Sequence, residues 1–231
     1  MSPAEFDRFA RTYEQDLQKS LAATGEGHEF HAQTRIDWTA QCVARLGQPV
    51  KRILGYGCGD GANAPMLATH FHAEYVLGVD VSGESIGVAR SANSSDDRLH
   101  FLSISAWTPD GAVDLAFTKR SLPPHSARGE ACQPAGNSAR TQARRTIRIL
   151  GEQSLDPGTQ YVMSQCVFDE NAIKISPRAA KAMLHRASFA VVRSDSLFYF
   201  PRQLSFLRPA EAWLRALPLG GQYLMLCRSA P

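Results

Sequence analysis

The sequence predicts an α/β fold, a Rossmann-like doubly wound sheet with mostly parallel strands, on three observations. Between Val50 and Thr118 short apolar runs (ILGY, YVLGVD, HFLSI, AVDLAF) alternate with helical stretches. Strands covered by helices on both faces read as continuous apolar runs of this kind. The first run passes through GYGCGDG straight into a helix, and the second ends on Asp80. After residue 155 the alternation returns, with a helix, a long strand and a final strand.

Each element has its own signal. Residues 3–19 place Phe6, Phe9, Ala10, Tyr13 and Leu17 on one face of an amphipathic helix. After the break TGEGHE, a second helix runs from about Glu29 to Leu46, anchored by Phe30, Ile36, Trp38 and Val43 and closed by Gly47 and Pro49. Strand KRILGY, helix ANAPMLATHF, strand YVLGVD, helix GESIGVARSA and strands RLHFLSI and AVDLAF follow. In SPRAAKAMLHRA, Ser176 is a good N-cap and Pro177 sits at the first helical position. FAVVRSDSLFYF reads as a long strand, PRQLSFLRPAEAWLRALP as a helical stretch interrupted by proline, and GGQYLMLCR as the last strand. Residues 119–155 show neither period clearly.

A chain of 231 residues, 44% hydrophobic and 20% charged, is long enough to bury one real core, so a single domain over 1–231 is expected. It divides into a helical cap (1–48), a glycine-loop half (50–118), an aberrant segment (119–155) and a C-terminal half (156–231). No apolar run approaches the roughly 20 residues that span a bilayer. The N-terminus is acidic and helical, unlike a signal peptide. Five scattered cysteines with no CxxC pair fit a reduced, cytoplasmic location and no zinc site. His28, His31, His70 and His72 have no metal-ligand companion at credible spacing and read as solvated or capping groups. The net charge of +3 hints at nucleic acid, but seven basic residues against Glu130 and Glu152 lie between 119 and 155, leaving the remainder net acidic. A nucleic-acid partner is therefore not expected.

The most informative motif is ILGYGCGDG at residues 53–61. Gly57, Gly59 and Gly61 let the backbone turn tightly and approach a ligand at a helix start. Nineteen residues after Gly61, Asp80 ends the second strand, where a carboxylate can accept both hydroxyls of a ribose. Together they form a nucleoside-binding constellation. Spacing leaves two cofactors open, because Gly57, Gly59 and Ala62 also satisfy the dinucleotide pattern G-x-G-x-x-A.

GCGDG resembles the GCGxG loop of class I S-adenosylmethionine-dependent methyltransferases. FDRFARTYE at residues 6–14 is similar to the F-D-x-x-A-x-x-Y-D leading helix of many small-molecule members, and SPRAAKAMLHRASFAVV and the final strand resemble that family's late elements. The resemblance covers roughly residues 5–118 and 156–228. It implies a seven-stranded sheet with an antiparallel last strand, N-terminal helices as a cap, S-adenosylmethionine as cofactor and a small-molecule acceptor. Gly57, Gly59 and Gly61 would pack on the methionine part of the cofactor, with Cys58 as a loop filler. Asp80 would hold the ribose beside Val81, and Ser105 and Ala106 would border the adenine. Tyr13 would close over the cofactor, and Thr118 would border it from the fourth strand. Gly55 is a departure: the family usually has Asp there, an acid that organises the loop and indirectly the cofactor's amine. The resemblance names no catalytic residue here.

Where the family continues its fourth strand with N-G-V-F-H-H-I-P-P, a helix and a K-P-G-G turn, this chain has KRSLPPHSARG and later TQARRTIRIL. A substrate lid, an insertion and a reading-frame error compete to explain it. Reading each codon from its second base, Lys119–Arg128 permits N-G-V-F-H-H-I-P-P, QARRT permits K-P-G-G, and EQSL permits N-N-P-W before the frame resumes at DPGT. One base gained near residue 119 and one lost near 155 would produce this. In the chain as written, TIRIL is the candidate for the fifth-strand slot. The alternatives to an active methyltransferase are an inactive cofactor-binding protein and, less favoured, a NAD-dependent oxidoreductase.

Overall fold

The computed structural model describes residues 25–109, 113–118, 146–152 and 175–229. The leading helix expected over 3–19, Tyr13 within it, residues 119–145 and residues 153–174 lie outside the described residues.

Helix α1 (His28–Ala44) precedes β1 (Arg52–Tyr56), α2 (Ala64–His70), β2 (Tyr75–Asp80), α3 (Gly83–Ala92) and β3 (Leu99–Ser103). Then come β4 (Leu115–Thr118), β5 (Thr146–Glu152), α4 (Pro177–Arg186), β6 (Phe189–Leu197), α5 (Glu211–Leu214) and β7 (Gln222–Ser229). The described strands form one seven-stranded sheet in the order β3-β2-β1-β4-β5-β7-β6. β1 to β5 pair in parallel, and β7 runs antiparallel to both β5 and β6. The mixed sheet and antiparallel last strand match the expectation.

The parallel strands are apolar on both faces because both faces are covered. On one, Ile53, Val76, Leu99, Leu115 and Phe117 join Ile36 and Trp38 of α1 and Leu67 of α2 in a single buried cluster. On the other, Leu54, Leu77 and Val79 meet Tyr56, Leu102 and Trp107. Fully burying such a side chain contributes about 1.5–3 kcal/mol. Polar groups fix the layers relative to one another. Trp38 Nε1 donates to Asp195 Oδ2 of β6 at 2.7 Å, and Arg193 Nε donates to the same oxygen at 2.7 Å. Asp114 Oδ2 accepts the N–H groups of Lys51 and Arg52 at 2.8 and 2.9 Å, which aligns the starts of β1 and β4.

The fifth-strand slot is filled by Thr146–Glu152, as the TIRIL stretch led us to expect. Its register sets Arg148 opposite Phe117 of β4 on one side and Leu226 of β7 on the other. Ser176 caps α4 by accepting the Ala179 N–H at 3.2 Å, with Pro177 at the first position. Residues 202–210 form a 3₁₀ segment that includes Pro209, and α5 follows as one short turn.

Two details differ from expectation. The long β6 ends at Leu197, because Phe198 turns out of the strand with φ of +63°. His31, expected to be solvated or capping, is only 7% exposed. Phe30 and Phe198 pack edge-on against its ring, at centroid distances of 5.6 and 4.5 Å, and enclose it. His70 instead lies near the surface, its Nε2 3.0 Å from Asp37 Oδ1.

Candidate functional site

Parallel pairing brings the carboxyl ends of β1, β2, β3 and β4 to one edge of the sheet, the edge where ligands of open α/β folds sit. The glycine loop leaves β1 there. Gly57, Gly59 and Gly61 have φ of +69°, +57° and +78°, a region that side chains with a Cβ rarely adopt. A Cβ at Gly57 or Gly59 would meet nothing within 4 Å, so there the loop needs its conformation and leaves open space above it. At Gly61 a Cβ would lie 2.8 Å from Phe101 Cε1 and 2.9 Å from Ala89 Cβ, so this glycine serves close packing as well.

The loop is held from β2. Val79 O accepts the N–H groups of Gly57 and Cys58 at 2.8 and 3.1 Å. Asp80 Oδ2 accepts the Gly59 N–H at 2.8 Å, and Oδ1 accepts the Ser82 N–H at 3.0 Å. A carboxylate offers about four acceptor sites, so Asp80 keeps capacity for a pair of hydroxyls after both contacts.

Beneath the loop, one row crosses four strands: Phe117, Gly55, Gly78 and Phe101 stand side by side in register. Phe101 leans across Gly78, where a Cβ would approach its Cδ1 to 2.6 Å and Cys58 Sγ to 2.9 Å. Gly55 differs, since a Cβ there would have its nearest neighbour, Leu77 O, at 3.8 Å. A pocket opens over this row, with Gly55, Gly78 and Phe117 on the sheet side and Cys58, Asn63 and Leu67 opposite. Burial, with a smaller push from the Asp80 carboxylate, raises the Cys58 thiol to about 12. That keeps the thiol protonated near neutral pH, where it is a weak nucleophile.

The other expected residues fall on the same edge. Val81 follows Asp80 and is 41% exposed. Ser105 and Ala106 are exposed in a 3₁₀ turn directly after β3, with Ser105 Oγ 2.9 Å from Ser103 Oγ. Thr118 ends β4 and is buried. Two neighbours were not singled out from the sequence. Trp107 meets Tyr56 edge-on at 6.5 Å. Asn63 lines the pocket, and its Oδ1 is buried with no hydrogen-bond partner among the described residues. The sequence places Asn63 inside the helix ANAPMLATHF, whereas the helix begins at Ala64 and the Asn63 side chain makes no capping bond.

These residues fit a nucleoside cofactor with a cationic tail: an open loop of left-handed glycines, a carboxylate with free acceptor capacity, and an unpartnered buried acceptor. Among the described residues no group of three or more His, Cys, Asp or Glu side chains could hold a metal. No helix among them is long and apolar enough to cross a membrane.

Residues 54–129 match the family model described as a methyltransferase domain. No curated protein matches the chain. Among solved structures, the chain is similar to an S-adenosylmethionine-dependent methyltransferase from Mesorhizobium loti, at 19% identity over 84% of this chain and 99% of that one, with a TM-score of 0.55. It is also similar to a structure of the Haloferax volcanii Trm112 methyltransferase activator in complex with a methyltransferase (18% identity, 98% of each chain, TM-score 0.61). A third likeness is to geranyl diphosphate C-methyltransferase from Streptomyces coelicolor, solved with Mg²⁺, geranyl-S-thiolodiphosphate and S-adenosyl-L-homocysteine (16% identity, 84% of this chain and 76% of that one, TM-score 0.55).

Proposed function

Starting from the class I S-adenosylmethionine-dependent methyltransferase fold of this chain, we propose that it binds S-adenosylmethionine and serves methyl transfer to a small-molecule acceptor. The observation that carries this reading is the glycine loop tied to Asp80 through the Gly59 N–H. When bound, the cofactor supplies a methyl group on a sulfonium, electrophilic enough to react with a well-placed nucleophile.

The residues of the chain act by holding. Gly57, Cys58, Gly59 and Gly61 present the loop backbone to the methionine part, and Asp80 accepts the ribose hydroxyls. Val81, Ser105 and Ala106 border the adenine, while Thr118 and Gly55 flank the cofactor from β4 and β1. Tyr13 would close over it from the leading helix. Alignment of donor and acceptor is the main contribution such a site makes to the rate. The acceptor pocket is assigned to the leading helices, residues 163–175 and the Phe/Leu/Trp-rich stretch 197–217. The cytoplasmic location remains part of this reading.

A second reading, a cofactor-binding protein without transferase activity, is favoured by Gly55 and by residues 119–155. The resemblance puts an H-H pair in that segment one reading frame away, and the frame as written lacks it. A NAD-dependent oxidoreductase has only the glycine spacing in its favour.

Calorimetric titration with S-adenosylmethionine, S-adenosyl-L-homocysteine and NAD separates these readings, on this chain and on a frame-restored version. Binding of the sulfonium cofactor and not of NAD is expected for both. Methyl transfer by the restored chain alone would assign the inactive role to this copy. Binding of NAD alone would overturn the proposal.

A further inference from the structure

The pocket beneath the glycine loop holds an acceptor without a donor. Asn63 Oδ1 is buried there, and nothing among the described residues donates to it. A buried carbonyl left without a donor is unfavourable, and native structures rarely keep one without a reason. Helix α2 does not account for it. Asn63 precedes α2 with φ of −82° and ψ of −15°, already helical, and its side chain makes no capping bond. The amide is thus placed in the pocket wall rather than used on the helix.

The same wall lacks an acid. Gly55 lies in the pocket lining, and a side chain there would have room, with the nearest atom 3.8 Å from its Cβ. The rest of the lining includes Leu67, Phe117 and Val76, which offer no acceptor side chain. The lining also includes Tyr56, whose ring packs against Trp107, so among the described lining side chains Asn63 carries the one amide or carboxylate oxygen, and it is neutral.

We infer that Asn63 Oδ1 receives the α-ammonium of the cofactor's methionine part, a neutral carbonyl serving where an acid at position 55 would supply charge. This rests on the cofactor reading proposed above. It makes amine recognition in this chain a hydrogen bond to an amide, so cofactor affinity depends on Asn63 and gains when charge is added there.

The test compares two probes, S-adenosyl-L-homocysteine and its analogue lacking the α-amino group, by calorimetry on the full chain. The wild-type protein should bind the amine-bearing probe more tightly. Asn63→Leu should weaken that probe about tenfold or more while leaving the deamino analogue nearly unchanged, the scale of a hydrogen bond to a charged group. Asn63→Asp should widen the preference, and it carries the test if the leucine variant fails to fold. An equal affinity of the wild type for both probes, or a preference that neither substitution changes, would overturn the assignment and leave Asn63 a solvated amide. No binding of either probe to the wild type would remove the cofactor reading together with it.

Discussion

Asp80 Oδ2 accepts the Gly59 N–H at 2.8 Å, so the acid ending β2 and the middle glycine of the β1–α2 loop form one unit. The acid shapes the loop it would share with a ligand. Asp80→Ala removes both a ligand acceptor and two backbone contacts. It should lower cofactor affinity by more than tenfold and destabilise the fold by about 1–3 kcal/mol. Asp80→Asn, which keeps one acceptor oxygen, should lose less stability than affinity. Urea unfolding beside calorimetric titration measures both.

The two glycines of the Phe-Gly-Gly-Phe row should respond differently to one added methyl group. Gly78→Ala drives a Cβ to within 2.6 Å of Phe101 and 2.9 Å of Cys58 Sγ, and should cost about 1–3 kcal/mol as overpacking does. Gly55→Ala finds 3.8 Å of clearance and should cost less than about 1 kcal/mol. Equal unfolding midpoints for the two variants would contradict this packing.

Cys58 makes a prediction about alkaline pH. Its folded-state value near 12 lies above the ordinary 9.0, so the folded chain keeps a proton that the unfolded chain releases. Its contribution is fully present below pH 9 and is lost as pH rises from there toward 12. Cys58→Ala should therefore flatten the fall of melting temperature above pH 9 and leave the pH dependence below 9 unchanged. The native thiol should also resist alkylation at neutral pH, and rapid labelling of Cys58 would count against the buried loop.

Arg148 stands in register between Phe117 and Leu226, two side chains that are 4% and 1% exposed. Central parallel strands take apolar residues at such positions. Arg148→Val, which places a β-branched residue at this register position, should raise the unfolding midpoint by an amount worth up to about 1 kcal/mol. A lower midpoint for Arg148→Val would show that the strand prefers the charge.

Trp38 and Asp195 join α1 to β6 through a buried 2.7 Å hydrogen bond. Trp38→Phe should destabilise by about 1–3 kcal/mol, because Asp195 loses a donor in a buried setting and keeps the bond from Arg193. Thermal unfolding of the variant measures it.

Much of this was legible from local signals. Alternating apolar runs placed β1 to β4, the pair Ser176–Pro177 placed α4, and the glycine spacing with Asp80 placed the loop at the strand ends. Those signals act over a few residues and depend on backbone chemistry. What the sequence hid depends on distant partners. His31 is enclosed by Phe198, which is far away in the chain, and the left-handed turn that brings Phe198 there has no glycine to announce it. Asn63 reads as an ordinary residue of the helix ANAPMLATHF, with nothing local to mark it. Its orphaned oxygen is visible only once Gly55, Leu67 and Phe117 surround the same pocket.

Backbone pairing in β5 asks only for seven extended residues between β4 and β7, whatever their side chains. A sheet is thus a tolerant reader of its own gene. Read in another frame, residues 146–152 would change their side chains while the backbone register that joins β4 to β7 could stay as it is.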